Sequence, residues 1–367
     1  MAELLLELYS EEIPPQLQIG ARNQLKEFVE KPLKEDNIKY KDLLVYSSPT
    51  RLTLLIKDLA EKIKIEAKEV KGPKVGSPDQ VLQGFIKAKN VSEKDLIEKE
   101  TEKGKFYFIK TQPQLILVED LLVKIIPKAI SSINWKKSMK WSDHSLMWGR
   151  PLRSIFALFN NKKLLFKFDH LETTDEIIIE QDLTIKTRKI KDFEDYLSFL
   201  KSNKIIVNHQ ERKEIILKKI NSFSQSKQYK EHLNPKLLEE VVNIVEDPNL
   251  LHVSFNKDYL KIPKEIIIST LEKHQRYFPI FDSRDRLTNY FFVVANKKDE
   301  KKLITQGNKR VVEARLADAK FFWDKDRSKN LIKQIANLKS VTFYEKLGTI
   351  YDKTQRLRQL AGLLSDD

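Results

Sequence analysis

The stretch ELLLELY, Glu3 to Tyr9, decides how the first part of the chain folds. Leucines at alternate positions from Leu4 to Leu8 are separated by polar residues or tyrosine, apart from Leu5, and this period of two predicts a β-strand. Pro15 and the residues before it stop that strand. A helix is predicted from Gln16 to about Lys31, where Pro32 is expected to end it. A strand followed directly by a helix favours a mixed fold.

The pattern continues outward from this start. Two strands, Leu43 to Tyr46 and Leu52 to Ile56, are predicted to form a hairpin around a Ser-Ser-Pro-Thr turn. The cluster KGPKVGSP, Lys71 to Pro78, is the densest Gly/Pro stretch and predicts a boundary or an ordered connector. A small inserted unit is expected after it, with the following elements: helices Gln80 to Lys89 and Ser92 to Lys99, a strand Phe106 to Ile109, and a helix bearing Leu115, Val118, Leu122 and Ile125.

The second half of the chain alternates helices and strands before it becomes helical. The predicted elements are helices Asp192 to Leu200 and Asn208 to Phe223, a helix opened by Asn234-Pro235, and strands Leu251 to Phe255 and Tyr290 to Val294. From about Lys301 everything is predicted to be helical, with Val312, Leu316, Ala319 and Trp323 on one stripe. Thr354 to Leu364 still carries a helical pattern, which suggests a fragment that ends in or just after a helix of an unfinished domain.

These elements predict an α+β fold of several domains. We expect residues 1–70 to form the N-terminal α/β part of a body and residues 71–133 to form an inserted small α/β unit. Residues 134–300 are expected to complete a strand-rich body with helices, and residues 301–367 to begin a truncated helical domain. A chain of 367 residues is long for one hydrophobic core, which agrees with this division.

Composition narrows the class of protein. With 41% hydrophobic and 33% charged residues, the chain is expected to be globular, and no apolar run approaches the roughly 20 residues of a membrane span. The absence of cysteine excludes disulfides, and together with an acidic N-terminus it favours the cytoplasm. The net charge of +14 points to a polyanionic partner. A general bias toward lysine is the competing explanation of that charge.

The residues that usually carry catalysis do not form recognisable motifs here. The six histidines are scattered singly, so no metal site is expected. Ser142, Asp143 and His144 are consecutive, whereas a catalytic triad requires side chains that converge from separate elements. Glu11 and Glu12 are adjacent and are expected to bound the following helix. Neither a P-loop nor a dinucleotide-binding fingerprint is present, and we therefore expect no catalytic residue in this chain.

Two basic stretches are the strongest candidates for binding. Residues 131–169 carry eight basic and two acidic side chains, with Trp135, Trp141 and Trp148 interleaved. Such a combination can hold phosphates and stack bases, although the tryptophans are more simply explained as core residues. Residues 307–330 carry seven basic and four acidic side chains on a predicted helix, whose polar face could equally be only solvated.

Several segments, taken in order, resemble the bacterial glycyl-tRNA synthetase beta subunit family. The most specific are HQRYFPIFD (His274 to Asp282) and GNKRVVEARLADAKFFWDKD (Gly307 to Asp326). The resemblance runs from Met1 to the C-terminus and also rests on these segments: SEEIPP (Ser10 to Pro15), SPTRL (Ser48 to Leu52), KGP (Lys71 to Pro73), WGRPLRSI (Trp148 to Ile155), EEVVNIVEDP (Glu239 to Pro248) and KLGTIYDKTQRL (Lys346 to Leu357).

This resemblance implies a subunit of a heterotetramer of two alpha and two beta chains. The alpha subunit would activate glycine with ATP and magnesium, and the beta subunit would bind tRNA(Gly) and support aminoacylation without a cofactor of its own. The full-length family members continue into further helical domains and a C-terminal anticodon-binding domain. This chain is therefore expected to lack anticodon recognition and to be inactive alone.

The family does not assign a catalytic residue to these positions, so the candidate tRNA-binding residues follow from chemistry. They are Arg150, Arg153, His274, Arg276, Tyr277, Arg310 and Arg315. Arginine suits bidentate phosphate contact, and the segment from His274 to Tyr277 combines donors with an aromatic ring. The alternative for each is an internal ion pair or hydrogen bond, such as one between Arg315 and Asp318.

Two functions remain open at this point. The first is a non-adenylating subunit of a glycine-tRNA ligase, and the alternative is a stand-alone RNA-binding or assembly module. A requirement for an alpha-like chain would separate them. An independent hydrolase or nucleotidyl transferase is disfavoured, because the motifs assemble no convergent polar site.

Overall fold

The computed structural model describes residues 2–65, 69–89, 91–101, 104–110, 114–181 and 183–365. Strands and helices mix along the chain, so the predicted α+β class is confirmed. The helices are α1 (Pro15–Glu35), α2 (Asp79–Lys89), α3 (Val118–Ser132), α4 (Phe193–Ser202), α5 (His209–Lys227), α6 (Pro235–Val242), α7 (Lys264–Ser269), α8 (Leu303–Arg327), α9 (Leu331–Gln334) and α10 (Ile350–Ser365).

The strands fall into six sheets. In chain order they are β1 (Ala2–Ser10), β2 (Asp42–Ser48), β3 (Arg51–Leu59), β4 (Lys62–Ile65), β5 (Glu69–Lys74), β6 (Leu96–Thr101), β7 (Gly104–Lys110), β8 (Gln114–Leu117), β9 (Leu152–Phe159), β10 (Lys162–Lys163), β11 (Lys167–Phe168), β12 (Leu171–Thr174), β13 (Glu176–Gln181), β14 (Thr184–Lys189), β15 (Lys230–Glu231), β16 (Asn249–Ser254), β17 (Phe278–Phe281), β18 (Leu287–Ala295), β19 (Thr342–Tyr344) and β20 (Gly348–Thr349).

The chain forms two compact units. The first unit comprises Met1–Arg212 and Asn243–Glu246, and the second comprises Lys213–Val242 and Asp247–Asp367. The short segment Asn243–Glu246 therefore belongs to the first unit although both of its neighbours in sequence belong to the second. The four-part division expected from the sequence stays a prediction.

A seven-stranded sheet forms the centre of the first unit. Its order is β11-β12-β9-β1-β3-β2, with β10 also paired to β9, and β1 runs antiparallel to both β3 and β9. Leu4, Leu6 and Leu8 enter the hydrophobic cluster that contains residues of α1 and α3, whereas Leu5 enters a second cluster with residues of α4. Leu5 interrupts the alternation of β1 because this central strand is buried on both faces.

A buried polar network crosses β1 and β3. Arg51 and Glu7 are each 1% exposed and form an ion pair of 2.8 Å. The Tyr196 hydroxyl donates to Glu7 Oε2 at 2.6 Å, lies 2.9 Å from Thr53 Oγ1, and has a pKa raised well above its ordinary value by burial and by Glu7. Arg51 also donates to the carbonyl oxygen of Ile178. The arginine of the SPTRL segment thus stabilises the fold rather than facing solvent.

Helix α1 corrects one predicted boundary. It begins with Pro15 at its first turn, as expected, but it continues through Pro32 to Glu35. Leu25, Val29 and Leu33 are fully buried along it. Burial of Leu33 on the same face as Val29 explains why the last turn forms in spite of the proline, because packing outweighs the local cost.

The segment expected to be an inserted unit contains more strand than predicted. The residues Lys71 to Pro73 lie within β5, which pairs with β7, rather than in a connector. The predicted helix Ser92 to Lys99 is wrong: Ser92 caps a single 3-10 turn, and β6 follows at once. Leu115 lies in β8, ahead of α3. Local capping was recognised correctly, but pairing with β7 determined what followed the turn.

Trp135 and Trp148 confirm the prediction that tryptophans of the basic stretch are core residues. They are buried in the larger cluster of the first unit, with ring centroids 4.9 Å apart in an edge-on arrangement. Gly149 lies directly against them, because a Cβ atom at that position would come within 2.4 Å of the Trp135 ring. The close approach of backbone to indole requires glycine.

The second unit is built on the four-stranded sheet β15-β17-β18-β16. Its core includes residues of β16, β18 and α7, and α8 packs against it through Val312 and Leu316, with Ala319 and Trp323 partly buried beside them. This is the predicted stripe. The region after Lys301 is helical except for the hairpin of β19 and β20. Among the described residues, no helix has the length and apolar character needed to cross a membrane.

Candidate nucleic-acid interface on helix α8

Helix α8 is anchored at its beginning and along one face. The carboxylate of Asp299 accepts hydrogen bonds from the backbone nitrogens of Ile304 at 3.0 Å and Thr305 at 2.7 Å, which satisfies free donors of the first turn. The buried stripe headed by Val312 and Leu316 fixes the rotation of the helix about its axis. The opposite face is consequently held toward solvent.

The outward face of α8 combines exposed aromatic rings with cations. Phe321 and Phe322 are 60% and 58% exposed, with ring centroids 5.4 Å apart in an edge-on arrangement. The Lys325 ammonium lies 5.6 Å from the Phe321 ring centroid. Exposed rings offer a stacking surface for bases, and neighbouring cations attract phosphates.

Arg310 and Arg315, both named from the sequence, are exposed on the same helix. Within the part of the chain that the structure describes, neither forms an ion pair, and the alternative pairing of Arg315 with Asp318 is not observed. Arg315 lies close enough to Tyr277 to oppose the rise in pKa that burial causes in the Tyr277 hydroxyl. Both guanidinium groups are therefore available to a ligand.

The segment from His274 to Tyr277 lies next to α8, but its side chains differ in availability. His274 is exposed. Arg276 adopts the left-handed conformation at the end of a π-helical turn, Thr270–Gln275, and its Nε donates to Glu240 at 2.7 Å. Tyr277 is buried, stacks on Phe291 at 5.2 Å and donates its hydroxyl to Asn308 of α8. Arg276 and Tyr277 thus hold this segment and α8 in place.

The remaining two candidates belong to the first unit. Arg153 lies on β9 and pairs with Glu180 and, at 3.5 Å, with Glu11. Arg150 is half-buried and donates to the carbonyl oxygen of its neighbour Gly149 at 2.8 Å. The structure therefore groups five of the seven predicted residues in the second unit, around α8, and places Arg153 in internal ion pairs.

Two features escaped the sequence analysis. Phe321 and Phe322 were not singled out, although the stripe from Val312 to Trp323 already leaves Phe321 on the outer side of the helix. The side chains of His144, Asp169 and His170 lie together as potential metal ligands. Nothing in the spacing of these histidines signalled this, since they come from two separate loops.

An α+β chain that presents exposed rings and unpaired arginines on one helix has features typical of nucleic-acid-binding proteins. The family model described as glycyl-tRNA synthetase beta subunit matches residues 4–367. The chain belongs to this family. It is 35% identical to the glycine-tRNA ligase beta subunits of Rickettsia peacockii and Rickettsia bellii, and 34% identical to that of Rickettsia typhi.

These matches cover all of the chain and 55%, 56% and 55% of the respective relatives. The chain thus spans about half the length of the curated relatives it matches.

Proposed function

We propose that this chain acts as the beta component of a glycine-tRNA ligase and contributes tRNA contacts through the outward face of α8. Family membership supports the ligase assignment, and the exposed combination of Arg310, Arg315, Phe321 and Lys325 carries the proposal of RNA contact. The net charge of +14 supports a polyanionic partner.

The chemistry of α8 suits a folded RNA with accessible bases. Arg310 and Arg315 can each hold a phosphate through two parallel hydrogen bonds. Phe321 can stack on an unpaired base, while Lys325 beside it contacts the adjoining phosphate. Because the buried stripe and the Tyr277 to Asn308 hydrogen bond fix the helix, these groups are positioned before the ligand arrives.

The proposed division of labour assigns adenylate formation to an alpha subunit in an alpha2beta2 tetramer. That subunit would use ATP with magnesium to activate glycine, and the beta chain would present tRNA(Gly). The sequence supports this division, because it contains no recognisable adenylate-forming motif. This chain contributes binding and assembly rather than bond formation.

The test is glycylation of tRNA(Gly) by the alpha subunit, measured without a beta chain, with this chain, and with a chain as long as the relatives. We expect charging with the long chain only, and binding of tRNA(Gly) by this chain in a fluorescence anisotropy titration. If neither chain supports charging and no alpha subunit associates, the ligase assignment fails. RNA binding without such a partner would instead support the stand-alone RNA-binding module.

A further inference from the structure

Two loops of the first unit bring three metal-ligating side chains together. His144 lies in the loop that follows Met139, closed by backbone hydrogen bonds of 2.8 and 3.2 Å between Met139 and Trp148. Asp169 and His170 form the two-residue turn between β11 and β12, where Phe168 pairs with Leu171. A turn this short leaves both of its side chains directed away from the strands.

The three side chains converge at one point. One potential ligand atom from each of His144, Asp169 and His170 lies within 4.8 Å of those of the other two. The two imidazole rings are stacked, with centroids 3.5 Å apart and planes only 2° from parallel. His170 Nδ1 lies 3.3 Å from Asp169 Oδ1. We call this group the His–Asp cluster.

The surroundings of the His–Asp cluster hold it in place. Ser145 Oγ donates to Asp169 Oδ2 at 3.2 Å, which leaves Oδ1 directed at the imidazoles. The Trp141 ring packs edge-on against both histidines, with centroids 6.4 Å from His144 and 6.0 Å from His170. Supporting contacts of this kind orient ligands in known metal sites.

We propose that the His–Asp cluster binds one divalent transition-metal ion of the zinc class. Two imidazole nitrogens and one carboxylate oxygen form a ligand set that suits this class of ion, with water completing the coordination. The rings rotate from their stacked arrangement on binding, so that one nitrogen of each approaches the ion to about 2.0–2.1 Å. The ion then links the His144 loop to the β11–β12 turn.

The adjacent carboxylate of Asp143 adds to the attraction for a cation. It accepts a hydrogen bond from Ser142 Oγ at 2.9 Å, and its pKa is lowered by that bond and, to a smaller extent, by His144 and His170. Two carboxylates therefore face two imidazoles in this part of the first unit. A metal ion bound there meets a net negative set of ligands and neighbours.

The test is a zinc titration of this chain after treatment with a chelator, followed by competition with a chromophoric chelator. We expect one equivalent of zinc to bind to the wild-type chain. His170→Gln and Asp169→Asn are each expected to weaken binding at least about tenfold, since even supporting residues of metal sites have effects of that size. Both positions are exposed, so circular dichroism should show an unchanged fold.

The matched control is His232→Gln. His232 is an exposed histidine beside a single carboxylate, Asp285, at 2.5 Å. We expect this variant to bind zinc like the wild type. X-ray absorption on the zinc-loaded chain should show two imidazole nitrogens in the first coordination shell. Absence of a bound equivalent in the wild type, or equal affinity in His170→Gln, would overturn the proposal.

Discussion

The arginine of β3 and the arginines of α8 do opposite things, although all lie in segments that carry the family resemblance. Arg51 is 1% exposed, pairs with Glu7 and donates to a backbone carbonyl. Arg310 and Arg315 are exposed on a helix whose other face is buried. A recognisable basic motif therefore identifies a family without saying whether its charges hold the fold or meet a ligand.

The largest expected effect comes from breaking the buried pair. Arg51→Ala should lower the free energy of unfolding by about 3–5 kcal/mol, because Glu7 is left as an uncompensated buried charge. Arg153→Ala is the control on neighbouring β9, where the exposed ion pair with Glu180 contributes about 0–1 kcal/mol. Urea unfolding followed by circular dichroism measures both. Equal effects of the two substitutions would contradict the contrast between buried and exposed arginines.

Gly149→Ala tests how tightly the core of the first unit is packed. The added Cβ would come within 2.4 Å of the Trp135 ring, and we expect a loss of about 1–3 kcal/mol in urea unfolding. Gly84→Ala on α2 is the matched control, because a Cβ there meets nothing within 4 Å. That substitution should be neutral or slightly stabilising, since alanine favours helix.

Phe321→Ala tests the exposed face of α8. Loss of one stacked base should weaken tRNA(Gly) binding by about 1–3 kcal/mol, with unfolding unchanged because the ring is 60% exposed. Leu303→Ala is the control at the start of the same helix, where a 65% exposed apolar side chain offers no π face. Fluorescence anisotropy measures both affinities. A similar loss from the two variants would indicate a general apolar contact instead of stacking.

Arg310→Gln tests the electrostatic part of the same surface. Removal of one phosphate contact should reduce the slope of log K against log salt by about 0.7–0.9. Arg153→Gln, which removes a guanidinium group already paired with Glu180, should leave that slope unchanged. Anisotropy titrations at several salt concentrations give both slopes. An unchanged slope in Arg310→Gln would remove this residue from the proposed contact.

The smallest expected effect is a pH dependence centred on His252. Its ring stacks on Tyr290 at 4.6 Å, and burial, followed by Lys227, lowers its pKa below the ordinary 6.5. Below about pH 6.5 the unfolded chain takes up a proton that the folded chain does not, so stability should fall as the pH decreases through this window. His252→Phe should reduce that slope, whereas His274→Gln, at an exposed position, should retain it.

Local patterns predicted the elements whose burial is simple. The hairpin of β2 and β3 and the stripe of α8 follow directly from residue spacing. The failures have physical causes: α1 continues past Pro32 because Leu33 is buried, and the residues after Ser92 form a strand because β7 pairs with them. Long-range pairing and packing override local signals of this kind.

The candidate site was predictable in the same uneven way. The exposure of Arg310 and Arg315 follows from helical phase once Val312 and Leu316 are placed inside. The burial of Tyr277 does not, because it depends on Phe291 and Asn308, which lie far along the chain. The His–Asp cluster was invisible for the same reason.

The segment Asn243–Glu246 has a consequence for synthesis on the ribosome. Gln18 Nε2 donates to its Asn243 carbonyl oxygen at 2.8 Å, and Ser48 Oγ donates to Glu246 Oε1 at 2.6 Å. The first unit therefore cannot be completed when Arg212 has been translated. It must wait until the intervening residues of the second unit have also emerged. The two units are interleaved in time during translation, and the usual N-terminal-first order of domain folding is delayed by this return of the chain.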